Sequence, residues 1–287
     1  LLLTTMDAAE IVKDVNRLVS LPEVCHRLNE LLEDPRKNIS DIARLIAQDA
    51  DLTARLLKIA NSSMYGFSGR ITSLERAISV IGTSELLILV LATSSIMTFP
   101  KIPGEFFNMA SFWRHSVYCG VVARLLAKRC HVLHPERLFI AGLLHDIGLL
   151  ALCVSRADLA RKVLDTVHES GQALHVIEQI QLGFDHTDIG SELLKKWGLP
   201  EGLQDAVNGH HQPGLARQSP LDAAIIHIAT AFTHIAEDHE DDNALHHVDP
   251  IAWQLSGLDA SVMDEVLREA GPEFDELLGI ILPSHYN

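Results

Sequence analysis

Apolar residues recur along this chain at intervals of three and four, the spacing of one face of a helix. Ile11, Val12, Val15, Leu18 and Val19 predict a lead-in helix. Ser20-Leu21-Pro22 restarts the chain, since proline suits the first helical position, and Val24, Leu28, Leu31 and Leu32 carry the stripe to Asp34-Pro35. A residue before proline is biased away from helical geometry, so the segment ends there. Ser40 and Asp51 are expected to cap two further helices, one with Ile42, Leu45 and Ile46 inward, the other with Leu52, Leu56 and Ile59. Two glycines and several turn formers between Asn61 and Gly69 predict an ordered loop. Thr72 and Glu75 have capping-box spacing before a helix carrying Leu74, Ala77, Ile78 and Ile81. Beyond Gly82, capped by Thr83 or Ser84, a helix to about Thr98 is apolar nearly all round and belongs at the centre of a bundle.

Phe99-Pro100-Lys101-Ile102-Pro103-Gly104 is the clearest internal boundary. It divides two helical halves, and the chain as a whole reads as a lead-in helix (1–19), an N-terminal helical half (20–103), a histidine-bearing half (104–235) and a C-terminal helical extension (236–287). The histidine-bearing half opens on a long helix ending near Arg129, followed by a turn at His134-Pro135-Glu136 and an antiparallel return through Leu138, Ile140, Leu143 and Leu144. Shorter amphipathic segments follow, and periodicity continues through Leu255, Val262, Val266 and Leu277.

Composition narrows the class. Aromatics at 5% and abundant Leu, Ile and Ala, in 287 residues, point to an all-α protein. The formal charge of −15 repels nucleic-acid backbones and anionic membranes, so neither partner is expected. Cys25, Cys119, Cys130 and Cys153 lack paired spacing and fit a reducing cytoplasm. The apolar run from Leu86 to Ala92 falls short of the roughly 20 residues that cross a bilayer. The chain starts without Met and without the basic start of a signal peptide, which suggests a fragment of something longer and leaves an upstream domain open.

Candidate chemistry centres on His145-Asp146, two metal-competent side chains inside the apolar stretch from Leu143 to Leu150. Buried polar groups need partners. The candidates are His115, His186, His210 and His211. Within one helix, neighbours point about 100° apart, so His145 and Asp146 would straddle a groove, taking one metal from two sides or bridging two through the carboxylate. Gly142 and Gly148 flank the pair and would let a partner helix approach closely. Histidines elsewhere, among them His131, His134, His168, His175, His227 and His234, show that number alone proves little. One carboxylate among five histidines favours Fe, Zn, Ni or Mn over Mg or Ca, as one or two ions.

Leu21-Pro22-Glu23-Val24, Leu52 through Ser62, and Ser73 through Ile78 followed by Ile81-Gly82 resemble the HDOD domain, a bacterial signalling module related to the HD-superfamily phosphohydrolases. Asp49-Ala50 departs from that family's common Asp-Pro. Trp113-Arg114-His115-Ser116, Ala141 through Gly148, Gly183 through His186 and the doublet His210-His211 are similar to the superfamily's metal motifs in order, and Trp197-Gly198-Leu199-Pro200 resembles the family's helix end, with Glu178 also matching. The resemblance implies an HDOD-type helical bundle with an HD-like C-terminal half and a metal on His115, His145, Asp146, His186, His210 and His211. Three departures fall on catalysis. Thr230 lies near the position of the usual closing Asp, Leu149 stands where cyclic-dinucleotide phosphodiesterases place Lys, and no Gly-Tyr-Pro follows His211. The expected function is therefore regulatory, acting through contacts with a signalling protein of unknown identity, with homo-oligomerisation left open. A metal-dependent phosphohydrolase of nucleotides or cyclic dinucleotides, using His145 and Asp146, is the first alternative. An iron-based redox or ligand sensor is the second.

Overall fold

A computed structural model describes residues 7–18, 22–99, 102, 107–237 and 244–282. The described residues form helices joined by turns, with no strand among them. Most of the boundary at 99–104 lies outside the described residues, as do the acidic stretch 238–243 and the ends of the chain. Contacts divide the chain into two compact units, Leu1–Val19 with Pro100–Arg268, and Ser20–Phe99 with Glu269–Asn287.

The histidine-bearing unit begins with α1 (Ala8–Leu18), whose Ile11, Val12 and Val15 are buried. The other unit contains α2 (Glu23–Glu33), α3 (Ile39–Ile46), α4 (Ala50–Ala60), α5 (Leu74–Ile81) and α6 (Thr83–Thr98). Three caps differ by one or two residues from expectation. Asn38, not Ser40, caps α3 in a reciprocal box with Asp41. Asp49, not Asp51, accepts from Leu52 N at 2.9 Å, so the departure Asp49-Ala50 keeps its helix start. Ser73, not Thr72, accepts from Arg76 N. In each case a neighbouring oxygen reaches the free helix N–H groups first. The loop after α4 is ordered as expected, since the Asn61 side chain bonds Leu57 O and both backbone groups of Ile71 at 2.7–2.8 Å. Gly82, at φ +90°, lets α5 and α6 meet at 102°. Helix α6 buries Leu86, Leu89, Val90 and Leu91, in keeping with its apolar circumference.

The histidine-bearing unit continues with α7 (Met109–Arg129), α8 (Glu136–Leu144), α9 (Ile147–Ser155), α10 (Ala157–Ser170), α11 (Leu174–Leu182), α12 (His186–Lys196), α13 (Glu201–Asn208), α14 (Pro220–Glu237) and α15 (Pro250–Ser256). Helix α16 (Met263–Ile281) contributes residues to both units. Helix α7 packs on α8 and α14, while α9 packs on α12 and α1. Arg137 and the buried Asp222 form an ion pair between α8 and α14. The stretch Glu136–Ser155 has the length and hydropathy of a membrane span, yet 83% of its apolar window is buried within the fold.

Two glycine contacts set the helix spacing around His145. A Cβ on Gly142 would lie 2.7 Å from Gly120 Cα, and one on Gly148 would lie 1.9 Å from the His186 carbonyl oxygen. The two flanking glycines therefore admit two different helices, α7 against α8 and α12 against α9. That second approach brings His186 to the His-Asp pair.

Candidate metal centre

His145 and Asp146 do not sit within one continuous helix, as the apolar run suggested. They form the turn between α8 and α9, with His145 as the C-terminal cap of α8 and Asp146 leading α9. This placement supplies a hydrogen bond that a mid-helix histidine would lack. The last carbonyls of a helix have no N–H partner within it, and His145 Nδ1 donates to one of them, Gly142 O, at 2.7 Å. The ring is completely buried, and its Nε2 has no hydrogen-bond partner.

The same device recurs at His210. Helix α13 ends at Asn208, and His210 Nδ1 donates to Val207 O at 2.7 Å while its buried Nε2 lacks a partner. With each Nδ1 donating to a carbonyl, the neutral form of either ring presents its lone pair at Nε2. Those nitrogens approach one carboxylate, His145 Nε2 at 3.2 Å from Asp146 Oδ2 and His210 Nε2 at 3.7 Å from Asp146 Oδ1. His186 adds its Nε2 at 3.3 Å from Asp146 Oδ1 and 2.9 Å from His211 Nε2. A polar atom buried without a partner is costly. Two of them aimed at a carboxylate, beside further imidazoles, fit a cation that would accept every lone pair.

Local sequence explains how His186 arrives. Asp185 caps α12 through Thr187 N and Asp188 N, which makes His186 its first residue. The fully buried Glu178, from α11, takes both His186 N at 3.0 Å and His186 Nδ1 at 2.5 Å through one oxygen. A carboxylate on the far nitrogen of a ligating histidine orients the ring and raises its basicity. His227, on α14, donates from Nδ1 to His210 O at 2.7 Å and accepts from Asp249 N at 2.9 Å, bracing the segment that carries the doublet.

His115 reaches the group across the α7–α8 pair, its ring centroid 5.4 Å from that of His145. Ligand atoms of His115, His145 and Asp146 lie within 4.8 Å of one another, as do those of His186, His210 and His211. The structure thus brings all six expected residues into one cluster, with Asp146 between two sides. These histidine-rich groups are able to hold metal. The inner side is buried. The outer side opens to a cavity of about 580 Å³ lined by Arg114, His115, Asp146, His234 and Glu237 among others.

Electrostatics follow this division in the metal-free protein. Burial disfavours charge on His186, but Glu178 and Asp146 outweigh it and raise its pKa to about 10. Burial and the neighbouring His145 and His186 push His210 down to about 3. Burial and three neighbouring histidines hold His211 well below its usual value. Burial likewise resists charging His145, yet the adjacent Asp146 holds it well above the ordinary range.

Two residues of the outer side were not singled out from sequence as site residues. The His234 ring lies tilted beside that of His115 with centroids 5.0 Å apart, and Glu237 Oε2 lies 2.8 Å from His115 Nδ1. They follow Thr230 by four and seven positions, hence share its helical face. Thr230 itself donates to Ile226 O at 3.0 Å and touches Cys119 Sγ at 3.7 Å, a packing role. Leu149 is 8% exposed within the core.

A family model for the HDOD domain matches residues 18–213. A curated protein of Treponema pallidum (strain Nichols), described as uncharacterized, is 27% identical over 210 residues, 72% of this chain, which spans 40% of that relative's length. Among solved structures, a presumed phosphohydrolase of Shewanella amazonensis SB2B is similar with a TM-score of 0.74 and 24% identity, over 97% of this chain and all of that one. A presumed signal transduction protein of Marinobacter aquaeolei VT8 gives a TM-score of 0.66 and 19% identity, over 97% of this chain and 66% of that one. At such identities the structural likeness concerns the fold. With the family model covering more than half of its length, the chain belongs to the HDOD domain family.

Proposed function

We propose that this chain is a regulatory HDOD module that transmits a state through contacts with another protein and holds one or two divalent metal ions on His115, His145, Asp146, His186, His210 and His211. The observation that carries the reading is the contrast between the ligands and their surroundings. Histidine tautomers are locked by helix-end carbonyls and Glu178, while Leu149 and Thr230 serve packing. The metal then acts as a brace or a sensing element for the helices that meet at Asp146. The imidazole-rich donors suit Fe, Zn, Ni or Mn. The name of the Marinobacter neighbour is in keeping with a signalling role.

A second reading, metal-dependent phosphohydrolysis, is favoured by the cavity at Asp146, whose lining includes the guanidinium-bearing Arg114. A bound metal would supply Lewis acidity and an activated water there. The test combines elemental analysis of protein purified without chelator with hydrolysis assays on a cyclic dinucleotide and on bis(p-nitrophenyl) phosphate, with added Mn or Fe. The regulatory reading expects bound metal and no turnover above the metal-only control. Robust turnover abolished by His145→Ala and by Asp146→Ala overturns it in favour of the enzyme. Folded protein that takes up no metal removes the metal from both readings, and a redox-dependent absorption spectrum shifts the assignment to an iron sensor.

A further inference from the structure

The outer side of the cluster contains more donors than the six paired residues account for. His115, His234 and Glu237 offer ligand atoms that all lie within 4.8 Å of one another. His234 and Glu237 stand on the last turns of α14, one helical turn apart, and His115 meets them from the first turns of α7. Both α14 residues fall beyond residues 18–213, the stretch shared with the family model. From these groups we infer that His115, His234 and Glu237 form a separate divalent-cation seat at the mouth of the cavity.

Two imidazoles and one carboxylate on one face form a donor set suited to Fe(II), Zn or Mn, with remaining coordination positions open. Here the open side faces the cavity, where Asn108, Ser111 and Arg114 contribute polar groups. The seat differs from the inner side in exposure, since both His234 and Glu237 are exposed whereas His186 and His210 are 2% and 1% exposed. A cation there is therefore exchangeable with solvent, while one on the inner side is enclosed. A competing role for Glu237 is to orient His115 through the 2.8 Å contact at Nδ1, leaving the ring's other nitrogen to the inner cation. In that case His234 would have no part in binding.

The inference rests on the metal-binding reading above only through the shared His115, and stoichiometry separates the two. The full chain, stripped with chelator and titrated with Mn(II) or Zn(II), is followed by equilibrium dialysis with elemental analysis. The wild type is expected to bind one equivalent more than His234→Ala or Glu237→Gln. The lost equivalent is the weaker one, reduced in affinity by at least about 100-fold, beyond the roughly 10–100-fold typical of an orienting partner. Glu237→Asp should recover part of it. Because His234 and Glu237 are exposed, these variants should keep the wild-type circular dichroism and melting profile. A His186→Gln, His210→Gln double variant should lose the tight equivalent and keep the weak one. If His234→Ala binds the same number of ions as wild type with unchanged affinities, the outer seat is overturned while the inner reading stands. A wild-type chain that binds no metal overturns both.

Discussion

The two sides of Asp146 use the same residue types under different physical regimes. On the inner side His186 and His210 are buried, and each Nδ1 is fixed by Glu178 or by Val207 O. On the outer side His115 retains 13% side-chain exposure, pairs with the half-open Glu237 and faces a cavity. The first arrangement is preorganised and costly when its partners are missing. The second can adjust, and water can replace whatever leaves. The difference teaches that a count of histidines conveys little, while the group behind each ring decides what that ring can do.

The largest effect expected from breaking the inner side is that of His186→Ala. It leaves the buried Glu178 carboxylate without its imidazole, and removing one partner of a buried pair costs about 3–5 kcal/mol. Urea unfolding of the metal-free protein measures the loss, and a shift below about 1 kcal/mol would show that the pair is solvated. Next in size is Gly148→Ala. Its new methyl would meet the His186 carbonyl, forcing α9 and α12 apart at a cost of about 1–3 kcal/mol or more. Unchanged stability and unchanged metal affinity together would mean that the helix approach is unimportant to the site. Replacing Glu178 by Gln is a subtler probe, expected to keep the fold and lower metal affinity roughly 10–100-fold, as read by competition with a chromophoric chelator.

The pH dependence of the metal-free protein separates the two inner rings. The pKa of His186 is raised to about 10, so its stabilising contribution is full below about pH 6.5 and is lost as pH rises through 10. His210 is depressed to about 3, so its contribution is present above about pH 6.5 and fades as pH falls toward 3. Stability of the metal-free unit should therefore peak near pH 6.5. Metal binding requires a neutral His186, so it should release a proton and strengthen with rising pH, which isothermal titration in two buffers of different ionisation enthalpy reads directly. The smallest expected effect lies at the outer edge. Asn108→Ala removes the cap that accepts from Ser111 N at the start of α7 and should cost about 1 kcal/mol, with the inner metal unaffected.

Sequence periodicity was sufficient for the helices with one strongly apolar face, as with Ile42, Leu45 and Ile46 in α3. The glycine pair around His145-Asp146 was also legible, since close helix contact has no other small-residue substitute there. Cap residues slipped by one or two positions because Ser40, Asp51 and Thr72 each compete with an equally capable oxygen nearby. The interruption between α8 and α9 was hidden by a hydrophobic run that continues unbroken on both sides of His145-Asp146. His234 and Glu237 were hidden differently. The family pattern marks only the Asp position taken here by Thr230, whereas the helix repeats that face at 234 and 237. Glu178 matched the family pattern, but only burial shows that both its bonds go to His186.

Helix α1 gives the folding of this chain an order of events. Its Ile11, Val12 and Val15 are buried in the unit that holds the histidines, it packs on α9 and α12, and Asp14 Oδ2 pairs with Arg156 at 2.5 Å. On a ribosome adding about 5–20 residues per second, α1 emerges on the order of ten seconds before α9, with its apolar stripe uncovered meanwhile. The segment made in between, α2 to α6, buries Leu56, Ile59, Ile78 and Leu89, and its unit is completed only by Glu269–Asn287. Helix α1 is thus made well before the helices that bury it, and its apolar stripe waits for them.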